Sequence, residues 1–292
     1  MVSREPESAS GADRIGDDRK NMRIIDAHLH FVYKDPYFDG IAEHAGHENS
    51  LKHLRSEYDR LGIVGGMVMG NRGLEPERHR YPQWLKYCIG LDRSYLSSHD
   101  VQGSLDLLEY HLKQEQCGGI KLYPGYNPVY VTDAIYEPVY ELAAAYDRPV
   151  AIHMGETAGP NACLKYAHPL TLDEAAVKHP KVRFVMCHFG NPWLNDAAAV
   201  LSKNPNVSAD LSGLLEGQID VDAFVEEKRG YVEALKTWLG YLDYRRVMFG
   251  TDWPLVNLEQ YIRFVEYLVP EKHREAVFGG NAAELYGFSN TV

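Results

Sequence analysis

Long apolar runs are missing from this chain of 292 residues. No stretch approaches the roughly 20 consecutive apolar residues that a membrane-spanning helix needs. The N-terminus has no apolar signal core either, so the sequence predicts a protein that neither spans a membrane nor carries an export signal. Cysteine is scarce: Cys88, Cys117, Cys163 and Cys187 are the four copies, and none forms a C-x-x-C pair. A chain of this length does not need disulfide staples, so reduced thiols in a cytoplasmic protein are expected. Basic charge is also in short supply, with 30 Lys and Arg against 41 Asp and Glu and a formal net charge of −11. A surplus of that sign repels phosphate backbones and anionic lipid, which argues against nucleic acid or a membrane as partner. There is no internal repeat and no low-complexity segment.

What is present is ample core material, with 45% hydrophobic residues, enough for one large domain. Residues 1–21 are polar and aperiodic and read as a disordered N-terminal extension; residues 22–292 read as a single domain. Strand-like runs recur at Ile24–Phe31, Ile63–Met69, Trp84–Leu91, Gly119–Tyr123, Pro149–Met154, Val182–Phe189, Asn206–Leu211 and Arg246–Phe249, eight in all. Helical periodicity fills the intervals. Leu51, Leu54, Tyr58 and Leu61 follow a cap expected at Asn49, and Leu105, Leu108 and Leu112 follow one expected at Ser104. Thr171-Leu-Asp-Glu174 fits a capping box. The stretch Leu214–Leu242 has room for two helices over the mouth of the domain. Strand–helix alternation implies a parallel sheet with helices outside, and eight such units imply an α/β fold of the closed (β/α)8 TIM-barrel type. The rival is an open doubly wound sheet, which would carry a Gly-rich phosphate turn after the first strand. The first strand ends instead in His28-Leu-His30.

In a barrel of this kind the chemistry sits at the strand C-terminal ends. Alternate residues of a strand share a face, so His28 and His30 should point together to the barrel mouth while Ala27 and Leu29 face the helices. Lys121 ends the fourth strand, His153 the fifth, His188 the sixth and Asp252 the eighth. Cys187 should turn away from His188 and serve packing. Each residue alone is better explained blandly, a lone His as a hydrogen-bonding core residue and an Asp before Trp-Pro as a turn residue. Their ordered recurrence at strand ends is what points to a site. Three imidazoles and a carboxylate suit Zn²⁺ or a similar divalent ion, with a water completing the shell. Asp252 can both ligate and take the water's proton, and His188 can stand across the metal and stabilise developing negative charge. Asp26 is expected either to orient a ligand imidazole or to pack.

These motifs resemble the amidohydrolase superfamily, and more closely its amidohydrolase 2 branch, which includes aminocarboxymuconate-semialdehyde decarboxylase and related ring-carboxylate decarboxylases. The resemblance rests on Ile25-Asp-Ala-His-Leu-His30, Gly119-Ile-Lys-Leu-Tyr-Pro124, Ala151-Ile-His153, Val185-Met-Cys-His-Phe-Gly190, Phe249-Gly-Thr-Asp-Trp-Pro254 and Gly280-Asn-Ala-Ala-Glu-Leu-Tyr-Gly287. It implies that His28, His30, His153 and Asp252 bind the metal and that His188 is catalytic. Lys121 is counted with His188 and Asp252 among the catalytic residues, as a free amine near the substrate of a one-metal site. The alternative it leaves open is a two-metal site bridged by carbamylated Lys121, in which His188 becomes a ligand.

Beyond strand ends, Tyr33, Tyr123, Tyr126, Trp193 and Trp253 are candidates for pocket walls that suit a ring, and Arg72 and Arg93 for clamping a carboxylate. The expected partner is a small-molecule substrate, possibly carboxylate-bearing or cyclic, with a homodimer as an analogy to other barrels. The function these residues favour is metal-dependent hydrolysis of a C–N or C–O bond in a small amide, lactone or ester. The alternatives are nonoxidative decarboxylation of an unsaturated or aromatic acid, which uses the same ligands, and a ligand-binding barrel that has lost its chemistry.

Overall fold

The structure, a computed structural model, describes residues 22–91 and 93–289. The expected extension at residues 1–21 and the Arg93 side chain lie outside the described residues. Eight strands run in chain order around one sheet: β1 Ile24–Leu29, β2 Ile63–Met69, β3 Leu85–Leu91, β4 Cys117–Leu122, β5 Val150–Ile152, β6 Phe184–Met186, β7 Val207–Asp210 and β8 Val247–Met248. Every neighbouring pair is parallel. The sheet closes on itself: Ala27 N–H donates to Phe249 O at 2.9 Å, Asp252 N–H to His28 O at 2.7 Å and His30 N–H to Trp253 O at 2.8 Å. This is the expected (β/α)8 barrel. Several strands are shorter than their apolar runs, because the last residues of each run peel away into the loops at the mouth.

The apolar residues sort into two layers. Ile25, Met67, Met69, Cys88, Val185 and Met248 fill the barrel, and Tyr286 of the C-terminal helix Asn281–Tyr286 packs against them. A larger cluster, including Tyr58, Leu108, Leu172, Leu201 and Leu239, lies between sheet and helices. Simple alternation fails in β1. Its pairing with β2 shifts register between Asp26 and Leu29, so Ala27 joins the barrel interior while Leu29 packs toward the helices. Such an irregularity re-aims side chains, and here it lets both His28 and His30 reach the mouth.

Three helix starts differ from expectation. Ser50, not Asn49, caps the helix Leu51–Leu61 through its hydroxyl, while Asn49 bonds the Val32 carbonyl. Asp100 caps Val101–Leu112, and Ser104 sits in the first turn, donating back to Asp100 O. Pro169–Lys178 starts at a His168 cap, with Thr171 Oγ1 donating to His168 O at 2.8 Å. In each case a nearby cap candidate wins, because the tertiary path of the incoming loop decides which residue takes the non-helical backbone of a cap. Leu214–Leu242 does hold two helices, Val221–Glu227 and Arg229–Tyr241, but the second does not roof the mouth. It packs between Leu194–Lys203 and Leu258–Leu268 as a regular outer helix, burying Val232, Leu235 and Leu239. Among the described residues, no helix is long and apolar enough to cross a membrane.

Candidate active site

The strand ends deliver their side chains to one cavity of about 630 Å³ at the barrel mouth, lined by His28, His30, Lys121, His153, His188 and Asp252 among others. Two of these residues sit in the left-handed region, His188 at φ 60° and Asp252 at φ 61°. Non-glycine residues hold such backbone only when their surroundings impose it. Here Asp210 Oδ1 accepts from His188 N–H at 3.0 Å and the His28 carbonyl accepts from Asp252 N–H.

The proton positions follow from the fixed acceptors. His28 Nδ1 lies 3.0 Å from Asp210 Oδ2, so its proton sits there and the Nε2 lone pair points away. His30 Nδ1 is 3.2 Å from the Met69 carbonyl, which can only accept, so Nε2 of His30 likewise presents a lone pair. Both lone pairs meet Asp252 Oδ1, at 3.4 Å from His28 and 3.2 Å from His30. Neither His28 Nε2 nor Asp252 Oδ1 has a hydrogen-bond partner, and both atoms are buried. Three acceptor atoms thus converge with no proton between them, a costly arrangement that a cation relieves. The donor set of two imidazole nitrogens and a carboxylate oxygen fits a divalent metal.

Charge states agree with that role. Burial drives the His28 imidazole down to about 4 against the pull of Asp210, which keeps it neutral. For Asp252, burial pushes the carboxyl up, but the His30 contact and the nearby His28 and His188 together hold it well below the ordinary range. Burial pushes the Asp210 carboxyl up as well, but His28, His188 and the Ser212 hydroxyl together hold it below the usual carboxylate range.

His153 stands apart from the converging trio. Its Nε2 is 3.1 Å from the Glu156 carbonyl and its Nδ1 is 3.1 Å from His188 Nε2. The imidazoles therefore form a row, with ring centroids 5.6 Å apart from His30 to His28, 4.8 Å from His28 to His188 and 4.9 Å from His188 to His153. Lys121 is only 1% exposed, and its Nζ donates to Cys187 Sγ at 2.9 Å. Cys187, expected to serve packing alone, lies in the barrel interior, where its Sγ also accepts from Lys121.

Asp26 accepts from Thr251 N–H and Oγ1–H, from the Tyr58 hydroxyl and from His28 N–H. It ties β1 to the loop after β8 and does not touch an imidazole ring. The residue that orients His28 is Asp210, which the sequence reading passed over. Its Oδ1 also accepts from Ser212 Oγ at 2.5 Å, and Ser212 Oγ lies 2.9 Å from His188 Nδ1. One carboxylate thus braces two imidazoles. The signal was available, since β7 ends in an ionisable residue like its neighbours.

Of the five aromatic candidates, Tyr123 and Tyr126 line the cavity. Trp253 is buried against His47, Trp193 packs on His168 and Tyr33 on Phe31. Phe38 and the exposed Tyr37, both on the helix Pro36–His44, complete the aromatic wall at the cavity rim. The Arg72 guanidinium donates to the Phe31 carbonyl and does not line the cavity.

A family model described as amidohydrolase matches residues 25–288. No curated protein matches the chain. Among solved structures, an amidohydrolase from Burkholderia multivorans with bound zinc is 16% identical with a TM-score of 0.65, covering 91% of this chain and 100% of that one. A probable 2-pyrone-4,6-dicarboxylic acid hydrolase from Acinetobacter baumannii is 15% identical with a TM-score of 0.59, covering 92% and 100%. A 2,6-dihydroxybenzoate decarboxylase from Rhizobium is 14% identical with a TM-score of 0.63, covering 91% and 99%. At these identities the likeness to the solved structures carries the fold and not the reaction.

Proposed function

This chain belongs to the amidohydrolase family, and from that premise we propose that it is a metal-dependent hydrolase cleaving a C–N or C–O bond of a small amide, lactone or ester. The carrying observation is the division of labour at Asp252. Its Oδ1 meets His28 and His30, while Oδ2 faces His188 Nδ1 at 4.0 Å. One oxygen is placed to ligate and the other to move a proton.

His28, His30 and Asp252 would hold the ion, and His153 would join them as the fourth ligand by exchanging its contact with His188 for the metal. A zinc ion bound there supplies Lewis acidity and lowers the pKa of a water toward ~7. Asp252 accepts the proton of the attacking water and returns it to the leaving group. His188 polarises the scissile carbonyl and steadies the oxyanion. Lys121 acts as an unmodified amine beside the substrate. Asp210 acts only through others: it fixes the ring and tautomer of His28 and, through Ser212, of His188. Asp210→Asn is therefore expected to weaken zinc affinity about 10–100-fold, read by competition with a chromophoric chelator. Unchanged affinity removes Asp210 from that role.

Decarboxylation of an unsaturated or aromatic acid draws on the aromatic wall and on the likeness to the Rhizobium decarboxylase. It asks for an arginine at the acid group, and no described side chain lining the cavity is an arginine. The test is a panel of lactones, esters, amides and hydroxybenzoates offered to protein of measured metal content. Turnover of a lactone, ester or amide that rises with bound metal is expected. Carbon dioxide release from a benzoate, with the others inert, replaces hydrolysis by decarboxylation. Two ions per chain would instead point to a carbamylated Lys121.

A further inference from the structure

Four polar or charged side chains that line the cavity are buried: His28, Lys121, Asn127 and His153. Three are already engaged. His28 is held by Asp210, Lys121 by Cys187, and His153 by His188 and the Glu156 carbonyl. Asn127 is different. Its main chain is fully used, with N–H donating to Tyr123 O at 2.9 Å and O accepting from Gly125 and Val129. The residue is 5% exposed and lines the cavity, and no hydrogen bond joins its side-chain amide to another described residue. A primary amide offers two donors and an acceptor, and here they are open to whatever occupies the cavity.

The surroundings restrict what can meet it. Tyr123 and Tyr126 flank Asn127 in the same loop, and the Tyr126 ring lies 4.9 Å from that of His153. The Tyr126 hydroxyl accepts from Ala158 N–H, which pins this wall to the loop after β5. At the other end of the imidazole row the Phe38 ring lies 6.2 Å from His30. The cavity is therefore walled largely by rings, and Lys121, the one lysine among the described residues that line it, already spends one N–H on Cys187. An amide in such a wall reads a neutral hydrogen-bonding group rather than a second charge.

We propose that Asn127 is a specificity-determining residue that hydrogen-bonds a hydroxyl or carbonyl group carried on the ring of a cyclic or aromatic substrate, away from the bond that is cleaved. This rests on the metal-dependent reading above, because the substrate's reacting group is taken to sit at the His28, His30 and Asp252 cluster.

The test uses zinc-loaded full-length protein and calorimetric titration with benzoate and with 2-, 3- and 4-hydroxybenzoate, whose carboxylate anchors at the cluster while the hydroxyl samples different positions. Wild-type protein is expected to bind one isomer about 10-fold more tightly than benzoate, the value of one hydrogen bond to an amide in the cavity wall. Asn127→Leu, similar in size but unable to hydrogen-bond, is expected to erase that preference. Asn127→Gln, which keeps the amide on a longer stem, is expected to shift it to another isomer or weaken it. Zinc stoichiometry is measured in each variant. A hydroxyl preference that survives in Asn127→Leu, or no preference in wild-type protein, overturns the proposal. So does the failure of every benzoate to bind zinc-loaded protein. If the wild-type protein takes up no zinc, the metal-dependent reading itself fails, an outcome distinct from the others.

Discussion

Asp252→Asn is expected to lower kcat/KM about a thousandfold on any substrate the wild-type protein turns over. Asparagine keeps the shape, and it is among the few residues that tolerate the left-handed backbone at this position, so the fold should survive. What is lost is charge and basicity. The amide is a poor ligand beside His28 and His30, and it cannot take up a proton from water. Loss of a positioned general base alone is worth about 10²–10⁴-fold. Removing the metal with a chelator should have a comparable effect on the wild-type protein, and restoring zinc should recover the rate. Metal content, circular dichroism and steady-state kinetics on the same preparations separate these contributions. A variant that stays folded and keeps more than a tenth of the wild-type rate would remove Asp252 from the proposed chemistry.

The second large effect is on the scaffold. Gly90→Ala is expected to destabilise the protein by about 3 kcal/mol or more, or to leave it insoluble. A Cβ at Gly90 would lie 1.7 Å from the Gly70 carbonyl oxygen and 2.5 Å from its carbon. Both are main-chain atoms in a ladder already tied by Gly70 N–H to Cys88 O at 2.9 Å, so neither can turn aside as a side chain would. Gly90 also pairs with Lys121 across β3 and β4, so any shift reaches the cavity. Gly40→Ala is the control. It lies in the helix Pro36–His44 and its Cβ would meet nothing within 4 Å, so a gain of about 0.5–1 kcal/mol is expected from helix propensity. Urea midpoints of the two variants should move in opposite directions.

Much of the cavity was legible before any coordinates. His28, His30, Lys121, His153, His188 and Asp252 each end an apolar run, and all six line the cavity. What was misjudged was finer. The register shift in β1 sends Ala27 inward, contrary to simple alternation. The tryptophans beyond β6 and β8 looked like walls and turned out to be packing, since a residue next to the mouth in sequence can still rotate under a loop.

The local period of apolar residues, written in consecutive positions, determined the barrel and the places where ionisable side chains emerge. Only the tertiary structure decided which partner each found. Asp210 meets His28 across 182 positions of chain and Thr251 meets Asp26 across 225. Asn127 is left with an amide open to the cavity because the described residues around it offer no hydrogen-bond partner. Those pairings depend on loop paths and strand register, which arise from packing the whole barrel at once and leave no mark in any single segment.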